Sequence, residues 1–408
     1  MTIQLHQSQI DRHSEVNVTG SKSESNRLLL LKALYPSLQI ENLSNSDDSR
    51  VMQNAFEQDS QTVDVHHAGT AMRFLTAYFA SQSDRSVILT GSERMKERPI
   101  KILVEALNAL GADISYLENE GCPPLQIKGQ TLSKSEVTLK ANVSSQYISA
   151  LLLIAPRLKN GLTLNLEGQM TSIPYIQMTL NLLNQIGVKT TFEGQTISVT
   201  PFNSELKKKT IAVESDWSSA SYFYSIVAMS PIGTSISLSI YRKDSLQGDS
   251  VLSKIYEDFG VVTDFSENTM SIRKASEGLG EKSYDLINAP DIAQTIAVTC
   301  LGLGLKCDLT GLHTLKIKET DRLVALKNEM EKFGATVKIT DRSLHLSPTE
   351  TLKNGVSVAT YHDHRMAMAF APLALKTSFG VEDAMVVSKS YPTFWDDMKS
   401  IGFEISQD

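Results

Sequence analysis

Apolar and polar positions along the chain recur in two interleaved patterns. In the first, an amphipathic helical run ends in an aliphatic or aromatic residue plus glycine, and the residues that follow alternate. The five instances are NALGADISYL, NQIGVKTTFE, EDFGVVTDFS, EKFGATVKIT and KSIGFEIS. Their glycines, Gly111, Gly187, Gly260, Gly334 and Gly402, lie 76, 73, 74 and 68 residues apart. A glycine just past a helix takes the left-handed conformation that ends it, and period-2 alternation predicts a strand. In the second pattern a small or polar cluster precedes an apolar helical run. These runs begin near Gly20, His67, Val143, Asp216, Pro290 and Tyr361, in steps of 47, 76, 73, 74 and 71 residues.

A period of this length signals a repeated supersecondary unit. Six units are expected, the first about 25 residues short of the others, as though a hairpin were missing there. Six units of this size exceed one hydrophobic core, so two domains of three units each are predicted. The hinge is expected near Thr200 to Ser215, where Pro201 and the run Lys207-Lys208-Lys209 interrupt the pattern. The apolar halves of the runs read as buried helices. Their starts carry Ser, Thr, Asp and Gly, which cap free N–H groups, and a helix N-terminus attracts anions through those donors and its dipole.

Composition narrows the function. Over 408 residues, 39 basic side chains stand against 46 acidic ones, a net charge of −7. That balance argues against a general electrostatic grip on nucleic acid or anionic lipid, so any bound anion must be held by a local cluster. The three cysteines, Cys122, Cys300 and Cys307, have no C-x-x-C spacing, which supports neither a zinc knuckle nor a disulfide framework and fits a reduced, cytoplasmic compartment. Met1-Thr2-Ile3-Gln4-Leu5-His6 lacks the basic start and apolar run of a signal peptide, so none is expected, and runs such as Tyr147 to Pro156 are too short to span a bilayer.

Cations gather at the helix starts: Lys22 and Arg27 in the first, Arg73 in the second, Arg365 in the sixth. Between repeats lie Arg94-Met95-Lys96-Glu97-Arg98-Pro99, Lys316-Ile317-Lys318-Glu319-Thr320-Asp321-Arg322, and Lys389. A lone charge run usually marks a solvated face. Several guanidinium forks beside Ser-rich helix starts instead suggest a substrate with more than one anionic group. Gly20-Ser21-Lys22-Ser23 lacks the spacing of a phosphate-binding P-loop, and no Rossmann fingerprint or nucleophile elbow appears. His362-Asp363-His364 is a weak metal motif without a third ligand candidate, and no metal is expected.

Seven motifs, in order and over nearly the whole chain, resemble those of the 5-enolpyruvylshikimate-3-phosphate synthases. They are Gly20-Ser21-Lys22-Ser23 with Ser25-Asn26-Arg27; Ala68-Gly69-Thr70-Ala71-Met72-Arg73; Arg94 to Ile100; Ser144-Ser145-Gln146; Ser172-Ile173-Pro174-Tyr175; Lys318 to Arg322; and Asp363 to Met368. The resemblance implies an α/β fold, a two-domain inside-out α/β barrel, each domain made of three pseudo-symmetric βαβαββ units. It implies an N-terminal lobe over 20–213 and a C-terminal lobe over 1–19 and 214–408, closing over substrates at the interdomain cleft. The implied reaction belongs to the shikimate route to chorismate. The enolpyruvyl group of phosphoenolpyruvate moves to the 5-hydroxyl of shikimate 3-phosphate, and phosphate leaves through a tetrahedral intermediate, without a cofactor.

By the same resemblance, Lys22, Ser23, Arg27, Ser144, Ser145, Gln146, Ser172, Tyr175, Asp291 and Lys318 hold shikimate 3-phosphate. Lys22, Gly69, Arg98, Gln146, Arg322, Arg365 and Lys389 surround phosphoenolpyruvate, where the inhibitor glyphosate also binds in the family. Addition puts a proton on the vinyl carbon while the hydroxyl loses one, so an acid and a base are both required. Asp291, Glu319 and Lys22 are the candidates. A cytoplasmic monomer with small-molecule partners, and neither nucleic acid nor membrane, is expected.

The chain departs from the family pattern at His67 and Thr314, where Asn is usual, at Phe74, where Pro is usual, and in the shortened stretch between Arg50 and His67. Two other readings compete. The enolpyruvyl transferase acting on UDP-N-acetylglucosamine shares fold and donor but usually carries a loop cysteine, which Gly91 to Pro99 lacks. A non-catalytic metabolite binder on this fold would be expected to have lost Asp291, Glu319 or Lys22.

Overall fold

The computed structural model describes residues 1–140, 144–168, 170–278 and 280–407. Val143, near which the third apolar run was placed, lies outside them. The chain divides into two compact units, one formed by Gly20–Val213 and the other by Met1–Thr19 with Glu214–Asp408.

In Gly20–Val213, strand Thr62–Asp64 pairs in parallel with Ser86–Thr90 after the helical crossover Gly69–Ala80. Helix Lys101–Leu110 then leads into the hairpin Asp113–Tyr116/Leu125–Lys128, whose second strand returns antiparallel on Ser86–Thr90. The next repeat copies this plan: Glu136–Lys140, helix Ser145–Ile154, strand Leu162–Glu167, helix Ile173–Gln185, and the hairpin Thr190–Glu193/Thr196–Val199. The remaining repeat has only two strands, Lys209–Ala212 parallel to Leu38–Glu41, with helices Lys22–Leu34 and Asp47–Glu57. Between Glu57 and Thr62 the chain passes straight into the next repeat, and this is where the sequence is short.

The other unit holds three four-stranded sheets. One joins His13–Val16 in parallel to Ser235–Ser239 and carries the hairpin Val261–Ser266/Thr269–Lys274; helix Trp217–Met229 precedes Ser235. The second runs Lys282–Asp285, Cys307–Thr310, Leu344–Leu346, Val337–Ile339 around helices Ala293–Gly302 and Arg322–Lys332. In the third, Val356–Val358 pairs with Phe379–Val381, and the N-terminal strand Ile3–Leu5 lies between Phe379–Val381 and Ile405–Gln407, antiparallel to both.

The apolar runs become the helices of each core. A helix that is apolar all round must be buried all round, and in Ala293–Gly302 every residue from Ala293 to Leu301 is. The polar atoms inside are small hydroxyls that satisfy one another, as where Ser221 meets Thr295 at 2.9 Å and Thr299 donates to Ser225 at 2.8 Å. The five repeat glycines all have φ between 75° and 108°, the left-handed region that stops each preceding helix.

Two expectations need correction. Side-chain capping holds at four of the six helix starts, through Ser21, Ser144, Asp216 and Asp363. The helix Gly69–Ala80 follows Ala68, which has no capping group, and the run at Pro290 opens as a short 3-10 turn without a side-chain cap. Lys207-Lys208-Lys209 does not simply interrupt the pattern either, because Lys209 begins the strand that pairs with Leu38–Glu41. Among the described residues no helix is long and apolar enough to cross a membrane.

Candidate active site

The first helix of Gly20–Val213 brings three of the expected residues together. Ser21 caps it, Lys22 and Ser23 form its first turn, and Arg27 follows one turn later. Lys22 Nζ lies 3.9 Å from Asp48 Oδ2 in the first turn of the next helix. Arg27 is only 2% exposed, and its guanidinium donates to neutral oxygens. Nε donates to Thr179 Oγ1 at 2.7 Å, Nη1 to the Ser23 carbonyl at 2.7 Å, and Nη2 to Ser149 Oγ at 2.9 Å and the Tyr175 carbonyl at 3.3 Å. Burial lowers its pKa to about 10, against the smaller opposing pull of Tyr175 and Glu24. A buried cation held by dipoles keeps an outward field for an anion.

The second helix start is built differently. Arg73, from the same helix, donates to the Gly69 carbonyl at 3.0 Å and the Pro99 carbonyl at 3.2 Å, and Tyr147 Oη donates to Pro99 at 2.5 Å. Two of these bonds fasten Pro99, which follows the short helix Glu93–Lys96, beside the uncapped N-terminus of Gly69–Ala80. Arg98 is thereby pressed onto Gly69: a Cβ there would stand 2.5 Å from Arg98 Nη1. Among the described residues the Arg98 Nε has no hydrogen-bond partner. Gln146, at the start of Ser145–Ile154, donates to Thr70 Oγ1 at 3.1 Å on the same helix end, and Ser144 caps its own helix by accepting from Gln146 N–H. An uncapped helix N-terminus, a guanidinium and an amide at one point form an anion site. Ser172 starts the helix that carries Tyr175 with φ of 54°, a strained conformation for a serine, of a kind that clusters at functional sites.

In the other unit, three segments converge on Arg322, which is 1% exposed. Its Nε lies 2.7 Å from Asp363 Oδ2, Nη1 2.9 Å from Asp291 Oδ1, and Nη2 2.9 Å from Glu319 Oε2. Arg365 Nη1 donates to the Asp291 carbonyl at 3.1 Å and Nη2 to Ser218 Oγ at 3.1 Å, with Asp291 Oδ2 3.4 Å away. Lys318 Nζ stands 3.5 Å from Asp291 Oδ1. Burial alone would raise the Asp291 carboxyl, but Lys318, Arg365 and Arg322 together hold it well below the usual carboxylate range. Lys389 donates to the His362 carbonyl at 2.8 Å, and that carbonyl is aimed by two successive left-handed residues, Tyr361 and His362.

The structure therefore assembles Lys22, Ser23 and Arg27 at one helix start, Gly69, Arg98 and Gln146 at another, and Asp291, Lys318, Glu319, Arg322 and Arg365 in one network. Sequence reading missed Asp363, whose carboxylate both caps its helix and holds Arg322, and also Ser218 and Asp249. The sequence held signals for two of them, Asp363 in the motif Asp363 to Met368 and Asp216-Trp217-Ser218 at the start of an apolar run; Asp249 had none.

The sequence profile of the EPSP synthase (3-phosphoshikimate 1-carboxyvinyltransferase) family matches residues 53–398. A 3-phosphoshikimate 1-carboxyvinyltransferase of Bacteroides fragilis is 45% identical over 96% of this chain and 95% of its own. Another, from Haemophilus influenzae, is 35% identical over 95% and 96%. Among solved structures, EPSP synthase from Acinetobacter baumannii superposes with a TM-score of 0.80 at 19% identity over the full length of both chains. The enolpyruvyl transferase NikO from Streptomyces tendae superposes with 0.74 at 13% identity over 99% and 98%. The fold is thus that of the enolpyruvyl transferases. Within that class, the chain belongs to the EPSP synthase family.

Proposed function

We propose that this chain is a 3-phosphoshikimate 1-carboxyvinyltransferase, carrying the enolpyruvyl group of phosphoenolpyruvate to the 5-hydroxyl of shikimate 3-phosphate. The observation that carries the reading is the Asp291–Arg322–Glu319–Arg365 network, which joins two acid–base candidates to two donor-binding candidates. Asp291, kept ionised by its three cations, is in the form that accepts the 5-hydroxyl proton, and it becomes a stronger base as the substrates' anionic groups draw those cations away. As the hydroxyl oxygen bonds to the central carbon of phosphoenolpyruvate, the methylene carbon gains a proton, from Lys22 or Glu319. Loss of that methyl proton and of phosphate restores the vinyl group and balances the reaction.

Shikimate 3-phosphate is assigned to Lys22, Ser23, Arg27, Ser144, Ser145, Gln146, Ser172, Tyr175, Asp291 and Lys318. Phosphoenolpyruvate is assigned to Lys22, Gly69, Arg98, Gln146, Arg322, Arg365 and Lys389. Arg322 reaches the donor by exchanging one of the carboxylates that now occupy it.

The test is phosphate release by the purified protein. It should require both substrates together and persist in the presence of a chelator. Turnover with UDP-N-acetylglucosamine in place of shikimate 3-phosphate, or activity abolished by chelation, would overturn the reading.

A further inference from the structure

The loop Tyr241–Ser250 folds back on the start of helix Trp217–Met229, Tyr241 donating to the Asp216 carbonyl at 2.9 Å. Gln247 accepts from the Trp217 N–H and donates to the Ser215 carbonyl, both at 2.9 Å. Two residues on, Asp249 is 3% exposed and accepts through Oδ2 from the Ser218 hydroxyl. Its Oδ1 is buried and, among the described residues, has no hydrogen-bond partner. A carboxyl group in such a place is costly unless it serves a neighbour.

That neighbour is identified by the direction of the bonds. A guanidinium only donates, so Ser218 Oγ must accept from Arg365 Nη2, and its single proton must go to Asp249. Without an acceptor at Asp249 the hydroxyl is free to rotate, and the lone pair it offers Arg365 is no longer fixed. Among the described residues the other hydrogen bond and ion pair of the Arg365 guanidinium both go to Asp291, so Ser218 is its hydrogen-bonded hold on a second segment, while Tyr222, Asp249 and Asp216 act on it through their charges and dipoles.

We infer that Asp249, acting through Ser218, is a positioning residue for Arg365, fixing the guanidinium in the place from which it binds phosphoenolpyruvate. The inference rests on the donor assignment of Arg365 made above. What Ser218 needs is an oxygen acceptor rather than a charge. Burial, and after it Asp291, push the Asp249 carboxyl up to about 7, so the group is carried partly neutral near neutral pH.

Steady-state kinetics on Asp249→Ala, Asp249→Asn, Ser218→Ala and the double alanine variant, varying each substrate in turn, test this. Asp249→Ala should raise KM for phosphoenolpyruvate roughly tenfold, as for loss of a hydrogen bond to a charged group, and leave KM for shikimate 3-phosphate near wild type. Asp249→Asn should restore the lower value. Ser218→Ala should match Asp249→Ala, and the double variant should be no worse than either, since both break one chain. Ser218 is only half-buried, so its variant carries the test if Asp249→Ala fails to fold. Equal rises in both KM values, an Asn variant as impaired as the Ala variant, or additive effects overturn the inference. Arg365→Ala separates the two layers: an unchanged KM for phosphoenolpyruvate there removes the donor assignment and this inference with it. A raised KM in Arg365→Ala beside an unchanged one in Asp249→Ala and Ser218→Ala removes the inference alone.

Discussion

Asp291 and Asp249 are both secluded carboxyl groups, and their surroundings push them in opposite directions. Three cations keep Asp291 ionised; burial and Asp291 itself keep Asp249 partly protonated. If Asp291 takes the hydroxyl proton, Asp291→Ala should lower kcat by roughly 10²- to 10⁴-fold and also weaken shikimate 3-phosphate. Glu319→Ala should lower kcat over the same range with less effect on that KM, and near-normal turnover would remove Glu319 from proton transfer. The stability consequence of Asp249 has a definite sign. Its folded pKa lies above the unfolded value of about 3.9, so the folded state binds the extra proton and stability falls as pH rises from about 4 to about 7. Asp249→Asn should flatten that fall when unfolding free energies are measured across the window. Asp291 contributes the reverse, stability present above about pH 4 and lost on acidification. Gly69 makes a third case. A Cβ there meets the Arg98 guanidinium, the far end of a flexible side chain, so Gly69→Ala should fold and displace Arg98. KM for phosphoenolpyruvate should rise, and competitive inhibition by glyphosate should weaken more than substrate binding; an unchanged inhibition constant would show that the pocket around His67 and Phe74 is already reshaped.

At the scale of the element, the five helix-ending glycines share a conformation but not an environment. Gly334 has φ of 97° and open surroundings, the nearest heavy atom to an added Cβ being 3.6 Å away on Lys353. Gly334→Ala should therefore cost only the backbone strain, about 1–2 kcal/mol. At Gly260 an added Cβ would stand 1.9 Å from the Ser276 carbonyl oxygen, which belongs to backbone and cannot swing aside. Gly260→Ala should cost clearly more in the same denaturant titration. Equal losses at the two sites would mean that packing behind the glycine contributes nothing to the repeat.

For the whole molecule, the N-terminal strand decides more than its three residues suggest. Ile3 and Leu5 are 2% and 0% exposed, and Ile3–Leu5 supplies both ladders that tie Ile405–Gln407 to Phe379–Val381. The Met1 carbonyl also accepts from the Ala384 N–H, at the start of the turn that ends in Lys389. Deleting residues 1–6 should remove at least about 3 kcal/mol through the two apolar side chains alone. It should also lower turnover, because Lys389 loses its support. Thermal unfolding and phosphate release measured on the truncated chain check both effects.

The repeat was legible in the sequence because its signals are local. Helix periodicity, a glycine needing positive φ and alternating strands each report on neighbours a few residues away, and the shortened first unit showed as a short step. The motifs around Lys22, Gly69 and Arg322 named the chemistry through their resemblance to a family, whereas residue type at the helix starts by itself indicated only a substrate with more than one anionic group. Sequence could not show that Arg322 meets carboxylates from two distant segments besides Glu319 of its own, that Arg98 lies against Gly69, or that Asp249 reaches Arg365 through Ser218. The resemblance assigned residues 1–19 to the C-terminal lobe, but nothing in the sequence showed that Ile3–Leu5 lies between Phe379–Val381 and Ile405–Gln407. Apart from the Glu319–Arg322 pair, those pairings join residues 29 to 404 positions apart. No local pattern encodes them, because they exist only once the sheets have closed around their helices and burial has decided which charges and strand edges must find partners.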